Sequence, residues 1–81
     1  MISNTLTKGA LYQTICPVML HPLFGENVYE DLTVPENSIL MFMYTEKIIT
    51  YNCLHFLYKQ KIKRIIQHRE NNVLHLIYQI T

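Results

Sequence analysis

Alternating apolar and polar positions predict a chain built mainly from β-strands. Residues 11–20, 39–44 and 48–58 are rich in the β-branched and aromatic side chains that strands favour. We expect the first of these strands to bend at Pro17, because proline cannot donate a hydrogen bond to a neighbouring strand. Residues 39–44 are apolar throughout, which predicts a central strand that is buried on both faces or lies in a dimer interface.

Turn-forming residues separate the predicted strands. Residues 21–35 contain prolines, a glycine and acidic side chains, so we expect a long connection with a short strand or turn over residues 27–34. Residues 35–38 have the sequence Pro-Glu-Asn-Ser, which is a turn signal that leads directly into the strand over residues 39–44.

Two structures remain open for the C-terminal third. Apolar and polar residues alternate over residues 74–80, and Asn71-Asn72 favours a hairpin because asparagine tolerates positive φ. This pattern predicts two antiparallel strands, with a turn at residues 59–61 before them. The alternative is a helix that begins at about Lys61, because several apolar residues lie at spacings compatible with one helical face: Ile62, Ile65, Ile66, Val73, Ile77 and Ile80.

Length and composition predict one small folded domain over residues 1–81. About half of the 81 residues are apolar, at 49%, which is enough for a single hydrophobic core. The N-terminus does not resemble a secretion signal, and no apolar run approaches the ~20 residues of a membrane-spanning helix. We therefore expect a cytoplasmic protein with no membrane span, in which Cys16 and Cys53 are buried thiols rather than a disulfide.

The charges are divided unevenly along the chain, although the net charge is only +1. Residues 9–46 carry five carboxylates and no lysine or arginine, whereas residues 47–81 carry six lysines or arginines and only Glu70 as an acid. Four of these cations fall within residues 59–64. Such an asymmetry steers a partner, or it is neutralised within the fold or across a dimer.

No motif in the sequence predicts catalysis or a bound cofactor. With only two glycines, the chain has no phosphate-binding loop. Cys53 and His55 would share one face of a strand, but a structural zinc site needs four ligands and no supporting cysteine or histidine spacing is present. A nucleophilic pair would also need an orienting third group. We therefore predict a half-buried cysteine beside a surface histidine, no metal, no cofactor and no enzymatic activity.

The charged segments supply the candidate contacts for a partner. If residues 59–61 form a hairpin turn, their charges are spread over the tip and both faces, whereas a helix would align part of them as a stripe. Phe56 and Tyr58 beside these cations are also compatible with binding RNA or DNA. The candidate partner-binding residues are the acidic Glu26, Glu30, Asp31 and Glu36 and the basic Lys59, Lys61, Lys63, Arg64 and Arg69.

Three segments in this order resemble the strand order of small SH3-like barrels: Lys8-Gly9-Ala10-Leu11-Tyr12, Val34-Pro35-Glu36-Asn37-Ser38-Ile39-Leu40-Met41-Phe42 and Phe56-Leu57-Tyr58-Lys59-Gln60-Lys61-Ile62. The overall style is also similar to small accessory proteins of tailed phages, which often bind host proteins. The resemblance implies an opening strand, a long acidic loop, a strand led by Val-Pro and a tight basic hairpin. Because the chain has no tryptophan, we do not expect recognition of proline-rich peptides.

These observations predict a mainly β fold, a small SH3-like partly open barrel, with an α+β fold and a C-terminal helix from about Lys61 as the alternative. The predicted function is a non-catalytic protein-binding module, in its most concrete form a phage or mobile-element protein that binds or inhibits a host protein. The alternatives are a barrel that binds RNA or DNA through its basic segment, and a structural homo-oligomer.

Overall fold

The structure is a computed structural model that describes residues 6–23, 31–49, 51–68 and 75–81. The described residues form seven strands, which are β1 (Leu11–Thr14), β2 (Val18–Leu20), β3 (Leu32–Val34), β4 (Ile39–Ile48), β5 (Tyr51–Tyr58), β6 (Lys61–His68) and β7 (Ile77–Gln79). The described residues contain no helix with the length and apolar character needed to span a bilayer.

The strands form two antiparallel sheets that are joined at one point. The larger sheet has the order β6-β5-β4-β1-β7, and the smaller one pairs β2 with β3. His21, directly after β2, forms an isolated antiparallel bridge with Arg64 of β6. The two backbone hydrogen bonds of this bridge measure 2.7 and 2.9 Å, so the end of β2 is attached to the outer edge of β6.

Chain length forces the larger sheet to curl. In a flat sheet, a strand beyond β6 would lie four interstrand spacings, or about 19 Å, from β1. The link from Thr14 to Val18 contains four Cα–Cα steps and therefore spans at most about 15 Å. A curled sheet brings the strand beyond β6 closer to β1, so that the short link can span the distance. Since no pairing joins β3 to β7 among the described strands, the barrel is partly open. The mainly β, partly open barrel predicted from the sequence is therefore confirmed.

The core fills the concave side of this curled sheet. Phe56 is fully buried, and the rings of Phe42 and Tyr12 meet its ring with centroid distances of 5.5 and 6.4 Å in edge-to-face geometry. Leu20 and Val34 from the smaller sheet belong to the same cluster. Both sheets therefore share one apolar core, which links the short β2 and β3 to the rest of the fold.

Strand β4 differs from the prediction of a strand buried on both faces. Leu40 and Phe42 point into the core, but Ile39 is 43% exposed and Tyr44 is also exposed. Burial on both faces is wrong because a small barrel has a core on only one side of its sheet, so the alternate residues face outward. The other alternative, a dimer interface over this strand, stays a prediction. Between Phe42 and Tyr44 the pairing with β5 shifts by a bulge. This shift places Tyr44 on the outer face instead of the core face.

The predicted strand over residues 11–20 is two strands. Pro17 lies between β1 and β2, and these two strands belong to different sheets, so the chain does more than bend there. In the following connection, β3 falls within the predicted residues 27–34, while residues 24–30 lie outside the described residues.

The predicted turn over residues 35–38 is present, and a side chain of β1 stabilises it with hydrogen bonds. Asn37 adopts a φ of 66°, a left-handed conformation that asparagine tolerates. The buried Thr14 hydroxyl donates to the Pro35 carbonyl oxygen at 2.8 Å and accepts from the Ser38 amide at 2.9 Å. One side chain thus satisfies both a carbonyl and an amide at the entrance of β4.

The basic segment is a hairpin and not a helix. Tyr58 pairs with Lys61, and the two residues between them, Lys59 and Gln60, have φ of 48° and 68°. Two consecutive positive φ values define the tight hairpin turn whose twist matches that of the flanking strands. The predicted turn is confirmed, and the alternative helix from Lys61 is wrong because β6 occupies Lys61–His68.

The two C-terminal strands do not pair with each other. Strand β6 and strand β7 lie at opposite ends of the five-stranded sheet, and β7 pairs with β1. The predicted hairpin between them is therefore wrong, and Asn71-Asn72 lies outside the described residues. Long-range pairing with β1 provides a partner strand that local sequence could not reveal.

Replacing Gln60 with glycine should stabilise the protein. Left-handed backbone costs a residue with a Cβ roughly 1–2 kcal/mol, and glycine removes that cost while adding freedom to the unfolded chain. For Gln60→Gly we expect a gain of about 0.5–1 kcal/mol in the free energy of unfolding, measured by urea denaturation.

The matched control is Thr45→Gly, in the extended backbone of β4, which should lose a similar amount. A loss of stability in Gln60→Gly would contradict the turn geometry.

Candidate protein-binding surface

The basic turn, residues 59–61, lies at one end of the hairpin formed by β5 and β6. Lys59 and Lys61 are exposed, and Lys63 is half-buried. The Lys59 ammonium lies 5.4 Å from the centre of the Tyr58 ring, which is within reach of a cation–π interaction. In the described part of the chain, no carboxylate lies at ion-pair distance from Lys59 or Lys61. Both lysines are therefore exposed cations without an ion pair in the described ranges.

Arg64, which the sequence groups with these lysines, points away from them into the protein. Only 6% of its surface is exposed. Its Nε donates to the Pro22 carbonyl oxygen at 2.8 Å, and Nη1 approaches the Cys53 Sγ at 3.6 Å. Together with the backbone bridge to His21, these contacts connect the two sheets through Arg64. Its charge does not join the surface lysines.

The described acidic candidates form no ion pair with the lysines of the basic turn. Asp31 accepts a hydrogen bond from the His21 ring, with 2.8 Å between the Asp31 carboxylate and Nδ1, and Glu36 is exposed in the turn before β4. Glu26, Glu30 and Arg69 fall outside the described residues. Among the described candidates, only the lysines of the hairpin form a cluster of like charge.

Cys53 and His55 share a face of β5, as the alternation predicts, but both are buried. The His55 Nδ1 lies 3.2 Å from the Cys53 carbonyl oxygen, and the Tyr44 ring stacks on the imidazole at 4.1 Å with an angle of 12° between the planes. The expected surface position of His55 is wrong because the β4 bulge brings Tyr44 over it. In the described ranges, no group of three histidine, cysteine or acidic side chains could hold a metal ion.

The outer face of the sheet carries an apolar band that the sequence did not reveal. The pairing registers align Leu11 with Met41, Met41 with Leu57 and Leu57 with Ile62, so one apolar residue from each of four adjacent strands forms a row across the sheet. Ile39 adds a further apolar residue on β4. We call these five residues the outer apolar band, and it contains no charged side chain.

The band lies beside the basic turn. Leu57 precedes the turn by two residues, and Ile62 directly follows Lys61. An apolar centre bordered by charge on one side is the usual composition of a protein-binding surface. Alternation could have indicated the outward positions, but the five residues come from four separate strands, so only the register brings them together.

Comparisons of the chain with protein-family models, with curated proteins and with solved structures give no match.

Arg64→Lys should destabilise the fold. Lysine lacks the Nε–H that reaches Pro22, and a lost hydrogen bond from a charged donor in a buried site costs about 2 kcal/mol. We expect that decrease in the free energy of unfolding in urea.

The matched control, Lys61→Arg, exchanges the same two residue types at an exposed position and should change stability by less than about 0.5 kcal/mol. Equal effects of the two substitutions would contradict the role of Arg64 in connecting the two sheets.

Proposed function

We propose that this domain is a non-catalytic protein-binding module that docks through the outer apolar band. The observation that carries the proposal is a row of apolar side chains across four strands with no charge among them. Four of the band's five residues, Leu11, Met41, Leu57 and Ile62, are half-buried, and Ile39 is exposed. Partly exposed apolar groups arranged contiguously, rather than singly, are characteristic of interaction sites. Ile39 is the most exposed member of the band, so it is the best candidate for insertion into a partner.

The basic turn defines the chemistry of the partner. Lys59 and Lys61 lie at the end of the hairpin, next in the chain to Tyr58 and Ile62, and have no ion-pair partner among the described residues. A matching surface would therefore present an apolar patch with carboxylates along one edge. Exposed charges of this kind mainly accelerate association and reject wrong partners, while the apolar centre supplies most of the affinity.

In its most concrete form, the proposal is that the chain is a phage or mobile-element accessory protein, acting in the cytoplasm on a host protein. Its support is the resemblance of three segments to SH3-like barrels and of the overall style to phage accessory proteins. Acting without catalysis, such a domain would affect a host protein by occupying its surface.

Nucleic-acid binding has weaker support. Arg64 is buried, which leaves Lys59, Lys61 and Lys63 as the described cations of the basic segment. Tyr58 packs against the core, whereas binding of single strands needs aromatic faces open to stacking. The remaining charge is better suited to the edge of a protein interface.

An aspartate in the band should abolish partner binding. We expect Ile39→Asp to reduce the amount of a specific protein recovered with the tagged domain from its native host cells by at least about tenfold, because a charge would be buried in the contact. The recovered proteins and nucleic acids are quantified by mass spectrometry and sequencing, and circular dichroism checks that the variant is folded.

Ile49→Asp is the matched control, because Ile49 is fully exposed in the turn after β4 and lies away from the band. It should keep the partner. Recovery of the same proteins with both variants, or of nucleic acid in place of a protein, would contradict the proposal.

Reversing the charge of the basic turn should weaken the same complex in a salt-dependent way. For the double variant Lys59→Glu, Lys61→Glu we expect at least about threefold weaker binding at low salt, and a smaller difference at high salt where surface charges are screened. Titration of the purified partner at two salt concentrations measures both values. A difference that does not depend on salt would show that the two lysines act through packing instead of charge.

A further inference from the structure

Among the described strands, β7 is paired along only one of its two edges. Leu76 accepts a hydrogen bond from Ile15, and Ile80 donates one to Leu11, both at 2.9 Å, while Tyr78 pairs with Gln13. Since alternate residues of a strand direct their backbone groups to opposite sides, Ile77 and Gln79 must direct theirs away from β1. No described strand pairs with this side of β7.

In the part of the chain that the structure describes, the other sheet edges carry protection that β7 lacks. Strand β3 is preceded by Asp31 and followed by Pro35, and strand β6 is bridged by His21. Charge, proline and cover are the usual means of preventing edge-to-edge association. Residues 76–81 contain no charged side chain and no proline. Tyr78, which points outward beside the open edge, is 47% exposed.

We propose that the open edge of β7 binds the same edge of a second copy of this chain. The two β7 strands would run antiparallel about a two-fold axis at Tyr78, which joins the two five-stranded sheets into one. Ile77 would exchange two backbone hydrogen bonds with Gln79 of the second copy, and Gln79 would do the same with Ile77 of the second copy.

Self-complementarity favours a second copy over an unrelated peptide. In this arrangement each contact is reciprocal, as a two-fold interface requires. The Tyr78 rings would face each other as a directly opposed cross-strand pair, a combination that stabilises sheets. The edge is uncharged, so pairing with itself brings no like charges together. Because β7 has only three residues, the interface is small and the dimer is a weak one.

Sedimentation velocity tests the proposal with the full chain. Between about 10 µM and about 1 mM, the wild-type protein should shift from monomer to dimer, as weak interfaces do. Tyr78→Lys and Tyr78→Glu should each remain monomeric, because like charges would stand directly opposite each other. An equal mixture of the two variants should regain the dimer, since lysine would then face glutamate.

Two controls separate this edge from other surfaces. Ile49→Lys adds the same charge at an exposed position away from β7, and Ile39→Asp alters the outer apolar band, so both should dimerise like the wild type. Circular dichroism confirms that the Tyr78 variants are folded. A wild-type monomer at every concentration, a dimer that survives Tyr78→Lys, or a mixture that stays monomeric would overturn the proposal. A dimer lost in Ile39→Asp but not in Tyr78→Lys would assign self-association to the band instead.

Discussion

The contact between Arg64 and the segment after β2 is the constraint on which the shape of this protein depends. It combines two backbone hydrogen bonds to His21 with a side-chain hydrogen bond to Pro22. A buried guanidinium is costly unless its donors are satisfied, and among the described residues every buried side-chain nitrogen and oxygen has a partner. The contact attaches the two-stranded sheet to β6. It thereby closes one side of the barrel and covers the core from the side of Leu20 and Val34.

The bulge in β4 divides the outer face into two regions with different chemistry. Before the bulge, Ile39 and Met41 face outward and belong to the apolar band. After it, Tyr44 faces outward and covers His55, next to the buried Cys53 and Arg64. A strand without the bulge would have sent Tyr44 toward the core. One extra residue thus separates a surface suited to binding from a polar cluster that serves the structure.

The distribution of charge follows from the two-residue period of strands. On β6, Lys61 is exposed at the turn while Arg64, three residues later, lies on the opposite face and is buried. Residues that are neighbours in sequence therefore have unrelated roles. Strand β7 shows the same effect at the level of the sheet. Pairing with β1 uses the backbone groups along one of its edges and leaves those of the other edge without a described partner strand.

The sequence by itself determined that the chain is mainly β, that turns lie at residues 35–38 and 59–61, and that Cys53 and His55 share a face. These features depend on local preferences: side-chain branching, proline, the tolerance of asparagine for positive φ and strict alternation. Only the tertiary structure decided that β7 pairs with β1, that Arg64 is buried, and that Leu11, Met41, Leu57 and Ile62 form one row. Each of these depends on pairing register between strands distant in the chain, which is set by how the whole sheet curls around a shared core and leaves no local signal.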